Sequence, residues 1–207
     1  MSDENNKNQK HKKAMQQQKE NVDAKIESAD IERGVSILLT GNGKGKSSSA
    51  FGMVMRAMGY GHKIGVVQFI KGVQLSGEEL FLRDYAEKNP EQIEFYQMGT
   101  GFTWNTQDRT ADTEAAERTW EVAKKMLADD SFDLVVLDEL TYMLGYDYLP
   151  ENAVLSALEQ SPVEQSVVVT GRGGGTKLRE IMDTVSEIKD IKHAFNSGIK
   201  ARKGVDF

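Results

Sequence analysis

The chain has 207 residues, which suits one domain with an appendage at about 150 residues per domain. Its 26 Lys and Arg against 32 Asp and Glu leave a net charge of −6, which argues against a nucleic-acid partner gripped by a basic face. There is no cysteine, so disulfides, thiolate metal sites, Cys-held iron–sulfur clusters and Cys nucleophiles are excluded, and electrons for any redox step come from another molecule.

Residues 1–30 hold six Lys, no Arg and six acids, so the rest of the chain carries the whole negative balance. The first 13 residues contain one apolar side chain, Met1, and read as a disordered polar tail without a secretory leader. No apolar run approaches the roughly 18 residues of a membrane span. The expectation is a soluble, cytoplasmic protein with no membrane partner. From Ala14 to Ile31, Met15, Val22, Ile26 and Ala29 share one side of a helical wheel, which predicts a weakly amphipathic helix. Isolated helices of that length are marginal, so it orders when something apolar lies beneath it.

Beyond residue 31 the pattern predicts a single α/β domain to residue 207. Val35–Leu39 reads as a buried strand, followed by a glycine-rich turn and a helix from Lys46 to Met58. Lys63–Ile70 is a second strand, Leu75–Lys88 a helix, Ile93–Gln97 a strand and Thr113–Ala128 a helix. Phe132–Leu137 is an apolar strand ending at Asp138-Glu139. Val154–Leu158 is a short helix after Pro150, and Val167–Thr170 an apolar strand ending at Gly171. Lys177–Asp183 and Val185–Ile188 give a last helix and strand. Continuously apolar strands separated by helices predict a mostly parallel central sheet covered on both faces.

Thr40-Gly41-Asn42-Gly43-Lys44-Gly45-Lys46-Ser47 follows a buried strand and opens a helix. Gly45-Lys46-Ser47 fits the Walker pattern, but its leading glycine is one place late, at Gly41. The physics survives the shift. The glycines turn backbone N–H groups toward one anionic centre, and the helix N-terminus adds partial positive charge. Lys46 reaches terminal phosphates, Lys44 adds a second cation, Ser47 offers a hydroxyl to Mg²⁺ or Mn²⁺, and Asn42 and Ser48 flank the loop. Strand, loop and helix in this order predict a P-loop NTPase fold of the RecA-like kind. Asp138 or Glu139, at the end of another core strand, completes a metal site directly or through water, unless it serves only as a helix cap.

A phosphate loop alone predicts only nucleoside triphosphate binding. Three further stretches lie at strand ends: Val66–Gly72 with Glu78 nearby, Met98–Trp104, and Asp138–Tyr142. Phe102 and Trp104 form either a plug on the core or a platform for a flat apolar ligand. Arg172, just past a strand, is a phosphate or amide contact or a surface ion pair. His193 reads as structural, and Tyr142 as core or ligand-facing.

The motifs Gly-Asn-Gly-Lys-Gly-Lys-Ser, Val-Val-Gln-Phe-Ile-Lys-Gly, Gly-Phe-Thr-Trp, Val-Val-Leu-Asp-Glu-Leu-Thr-Tyr and Thr-Gly-Arg-Gly together resemble the P-loop class of ATP:corrinoid adenosyltransferases. The likeness runs from about Val22 to Phe207. Ser47-Ser48 stands where that class usually shows two threonines, which keeps the hydroxyl. Gly173-Gly174-Gly175 is richer in glycine than usual. The resemblance implies attack of corrinoid Co(I) on C5′ of ATP and release of triphosphate, in adenosylcobalamin synthesis and salvage. It further implies Phe102 and Trp104 against the lower corrinoid face, the Ala14–Ile31 helix as a lid, a reduced flavoprotein as electron donor and a homodimer. Glu78 then contacts the ribose or orders its loop. The competing expectation is an ordinary P-loop ATPase or small-molecule kinase that releases orthophosphate.

Overall fold

Along each core strand, successive side chains enter opposite halves of the core. Leu38, Val67, Val135, Leu137, Val167 and Val169 pack in one apolar cluster, and Leu39, Val66, Leu134, Val136 and Val168 in the other. A strand buried on both faces has no polar alternation, which is why these segments read as unbroken apolar runs. Each such valine or leucine contributes about 1.5–3 kcal/mol by leaving water.

The computed structural model describes residues 2–70, 75–98 and 108–207. The chain divides into two units, residues 1–32 and 33–207. In the larger unit the strands are β1 (Ser36–Thr40), β2 (Ile64–Gln68), β3 (Ile93–Gln97), β4 (Leu134–Asp138), β5 (Ser166–Thr170) and β6 (Thr184–Glu187). They form a six-stranded sheet in the order β3-β2-β4-β5-β1-β6, with every pairing parallel. The predicted mostly parallel sheet is thus wholly parallel. β5 lies between β1, which carries the phosphate loop, and β4, which ends in Asp138.

Helices α2 (Lys46–Gly59) and α3 (Gly77–Lys88) cover one face through Ala50, Phe51, Val54 and Leu82. The other face is covered by α4 (Arg109–Ala128), α5 (Leu140–Gly145), α6 (Glu151–Glu159) and α7 (Gly175–Ile181), with Trp120, Leu140, Val154 and Leu178 among the buried contacts. α4 begins four residues before the apolar period does. The Asp108 side chain accepts from the Thr110 and Ala111 N–H groups at 3.1 Å and so caps a polar first turn. α5 is absent from the expectation because its six residues are too few to show a period. A 3₁₀ turn at Ala194–Ser197 was equally unreadable.

The smaller unit is the helix α1 (Ser2–Glu27), with every described side chain exposed. It starts well before the predicted amphipathic stretch, in residues expected to be a tail, and it stops before Ile31. Residues 2–13 contain no Gly or Pro, so nothing in them breaks a helix that propagates from Ala14. Among the described residues no helix is long and apolar enough to cross a membrane.

Candidate functional site

The loop from β1 to α2 is shaped from behind. A Cβ on Gly43 would lie 2.7 Å from the Lys189 carbonyl group, and the Gly43 N–H donates to the Ile188 carbonyl at 2.7 Å. The segment after β6 is therefore the loop's floor, and only glycine fits against it. Gly45 closes the loop at φ 116°, in the left-handed region, and caps α2 without a side chain. The first N–H groups of α2 are left without a side-chain acceptor, the usual arrangement for receiving an anion.

Asn42, Gly43, Lys44, Gly45, Lys46, Ser47 and Ser48 line a cavity of about 570 Å³. Gly41 does not line it; its Cβ position is occupied by the Ile188 carbonyl oxygen at 2.4 Å. Lys46 is buried and its Nζ donates to the Gly43 carbonyl at 2.8 Å. Burial lowers its ammonium pKa, Arg172 acts in the same sense, and the Glu139 and Asp138 charges oppose the shift. Lys44 is more exposed and pairs with Asp206 at 3.0 Å.

Asp138 and Glu139 reach the same cavity from β4. Asp138 is buried, and both its oxygens are engaged. Gln68 Nε2 donates to Oδ2 at 3.0 Å and Thr170 Oγ1 to Oδ1 at 2.6 Å. Glu139 differs. Its backbone adopts φ 62°, its N–H donates to Thr170 Oγ1 at 2.9 Å, and its Oε2 is buried with no hydrogen-bond partner. Burial, then the neighbouring Asp138 charge, pushes its carboxyl up to about 7, while Lys46 and Arg172 pull it down. Glu139 and Ser47 line the same polar cavity, and a carboxylate with an unpartnered oxygen and a hydroxyl are donors that fit a hard divalent cation. Among the described residues no three of His, Cys, Asp and Glu form a metal cluster by themselves.

Glu78, in the first turn of α3, and Arg172, after β5, line this cavity too. His193 Nδ1 accepts from the Phe195 N–H at 3.2 Å, capping the 3₁₀ turn, and it also borders the cavity. Tyr142 is half-buried and stacks on Tyr146 at 5.9 Å. Phe102 and Trp104 lie outside the described residues. Sequence reasoning gave no site role to Gln68, Thr170, Asp190, Asn196 and Asp206, although Gln68 lay in the Val66–Gly72 stretch and Thr170 in the Thr-Gly-Arg-Gly motif. Gln68 and Thr170 end core strands, and a polar residue closing an apolar run was the available signal. No local pattern marks the other three.

A profile of the family described as ATP:corrinoid adenosyltransferase BtuR/CobO/CobP matches residues 32–207. The corrinoid adenosyltransferase of Escherichia coli strain K12 is 50% identical over 207 residues, covering 100% of both chains. That of Pseudomonas aeruginosa is 51% identical, again over 100% of both. Among solved structures, the flagellar accessory protein FlaH from Methanocaldococcus jannaschii is similar with a TM-score of 0.50 and 11% identity, over 76% of this chain and 72% of that one. At that identity the likeness concerns the fold alone, and the fold is that of the P-loop NTPases.

Proposed function

The chain belongs to the ATP:corrinoid adenosyltransferase family, and from that premise we propose which of its residues carry the transfer of the adenosyl group from ATP to a corrinoid. The observation that carries the proposal is the cavity lined by buried Lys46, the uncapped start of α2, Asp138 and Glu139.

Co(I) of the corrinoid attacks C5′ of ATP, the C5′–O bond breaks, and triphosphate leaves. Negative charge grows on the leaving oxygen. Lys46, Lys44 and the N–H groups of residues 44–48 face that charge in a fixed arrangement and stabilise it more than the ground state. Ser47 and Glu139 hold Mg²⁺ or Mn²⁺, with Asp138 behind them; when bound, the ion neutralises part of the triphosphate charge. Arg172 meets phosphate, and Glu78 meets the ribose. The nucleophile carries no proton, so no general base is needed, in keeping with the capping role of His193.

Phe102 and Trp104 take the lower corrinoid face and exclude a lower axial ligand, which eases reduction of Co(II). The reading rests on their place in the Gly-Phe-Thr-Trp motif. The Ala14–Ile31 segment serves as a lid that keeps water from Co(I). A reduced flavoprotein supplies the electron, since the chain has no cysteine. The protein works as a cytoplasmic homodimer, a reading supported by its family.

The test is anaerobic mixing of protein, MgATP and chemically reduced cob(I)alamin. A photolabile alkylcobalamin spectrum with release of inorganic triphosphate is expected. Orthophosphate release without alkylation refutes the assignment and restores the ATPase reading. Trp104→Ala is expected to slow adenosylation from Co(II) far more than from prepared Co(I); equal losses refute the axial-ligand role.

A further inference from the structure

Gln97, Gln68 and Asp138 stand side by side at the ends of β3, β2 and β4, with Gln68 paired in register to both neighbours. Their side chains form a hydrogen-bonded row. Arg83 Nη2 donates to Gln97 Oε1. Gln97 Nε2 donates to Gln68 Oε1 at 3.1 Å, and Gln68 Nε2 to Asp138 Oδ2 at 3.0 Å. Beyond Asp138, Thr170 Oγ1 spends its proton on Oδ1 at 2.6 Å and accepts the Glu139 N–H at 2.9 Å.

The direction of this row is fixed at its ends. A guanidinium only donates and an ionised carboxylate only accepts, so the two amides between them have one permitted orientation each. Arg83 is itself anchored by buried Glu79, whose Oε1 lies 3.0 Å from Nη2. The far end of the row pins Glu139, whose φ of 62° is costly for any residue but glycine. Strain of this kind persists only where the surroundings over-determine it, and the row supplies that constraint.

We propose that Arg83 and Gln97 are positioning residues for the transfer. Through Gln68, Asp138 and Thr170 they hold Glu139 toward the triphosphate site. Neither lines the nucleotide cavity, so they act from outside it. The proposal rests on the reading of Glu139 as a metal-holding carboxylate. Gln97→Glu breaks the row at Gln97 and adds one negative charge outside the cavity. It keeps the shape and the Arg83 contact, but offers no N–H to Gln68. If the Gln68 amide turns to recover a bond, its carbonyl faces Asp138, acceptor against acceptor.

The experiment is calorimetric titration of ATP into the full chain, with Mg²⁺ and with EDTA. Gln97→Glu is expected to weaken MgATP binding about tenfold, the scale of a lost outer partner of a metal ligand, and to leave binding in EDTA unchanged. Arg83→Met also leaves buried Glu79 without its ion pair, so its urea midpoint is measured beside the parent's, and it is expected to show a smaller loss of the same metal-dependent kind. Arg83→Lys keeps a donor and is expected to retain more of the affinity than Arg83→Met. Parent-like MgATP affinity in Gln97→Glu and Arg83→Met, or equal losses with and without metal, overturns the positioning role. Glu139→Gln separates the two layers. A metal-dependent loss there, with none in Gln97→Glu, overturns the row alone; no metal-dependent loss in Glu139→Gln overturns the carboxylate assignment and the row with it.

Discussion

Lys44 and Lys46 stand two residues apart in one loop, yet they are held by opposite means. Lys46 is buried and folds back onto the Gly43 carbonyl, so its charge is kept in a poorly solvated place that the triphosphate enters. Lys46→Ala is expected to lower kcat/KM with prepared Co(I) by about a hundredfold or more, as for loss of a preorganised donor; near-normal turnover refutes the loop assignment. Lys44 is partly exposed and tied to Asp206. The Asp206 carboxyl is held below the usual range, first by the Arg202 N–H and then by Lys44. The triphosphate has to compete with this carboxylate for Lys44. Asp206→Asn is therefore expected to tighten ATP binding by about threefold at most, the scale of an exposed pair, with the gain shrinking as salt rises. Titration at two ionic strengths checks both parts. Lys46 and Ser47 were legible because their spacing after a buried strand is itself the phosphate-binding device. Asp206 was not, because which distant residue returns to the loop is a property of the folded path.

The same division holds among elements. β1, β2, β4 and β5 were readable because burial on both faces leaves their middles apolar and confines polar residues to their ends, while β3, at the other edge of the sheet, kept only Ile93, Phe95 and Tyr96 as its signal. β6 was readable only as a short strand, because all four of its residues are exposed at the sheet edge. What ties it in lies just outside it. Asp183 accepts from Arg33 Nη1 at 2.8 Å and from the Ser36 N–H and hydroxyl at 2.9 Å, and its own N–H donates to Ser36 Oγ at 2.9 Å. The start of β1 is thereby joined to the start of β6. The bond to Arg33 and then the Ser36 N–H hold the Asp183 carboxyl well below its usual range. A carboxyl depressed in the folded state stabilises the fold above its unfolded pKa, about 4, and the contribution fades as pH falls through that value toward the folded one. The urea midpoint is expected to be lower in Asp183→Asn than in the parent at pH 7, and the difference to shrink below about pH 4. A constant difference across that range refutes the assignment.

At the scale of the molecule, every described residue lining the nucleotide cavity belongs to the unit of residues 33–207. Removal of residues 1–30 is accordingly expected to leave ATP affinity unchanged and to weaken corrinoid affinity, measured by titrating each substrate separately. Unchanged corrinoid affinity refutes the proposed lid role. The strand order also bears on how the protein is made. β1 carries the phosphate loop near the beginning of the larger unit, but its two neighbours are β5 and β6, and the loop's floor is Ile188 and Lys189. When residues 36–47 leave the ribosome, none of these partners has been synthesised. Pairings so distant in sequence form slowly and late. A nascent chain arrested before residue 184 carries the complete Gly-Lys-Ser motif but lacks the segment its loop rests on, so nucleotide is expected to assist folding only after the sheet's last strand has been made.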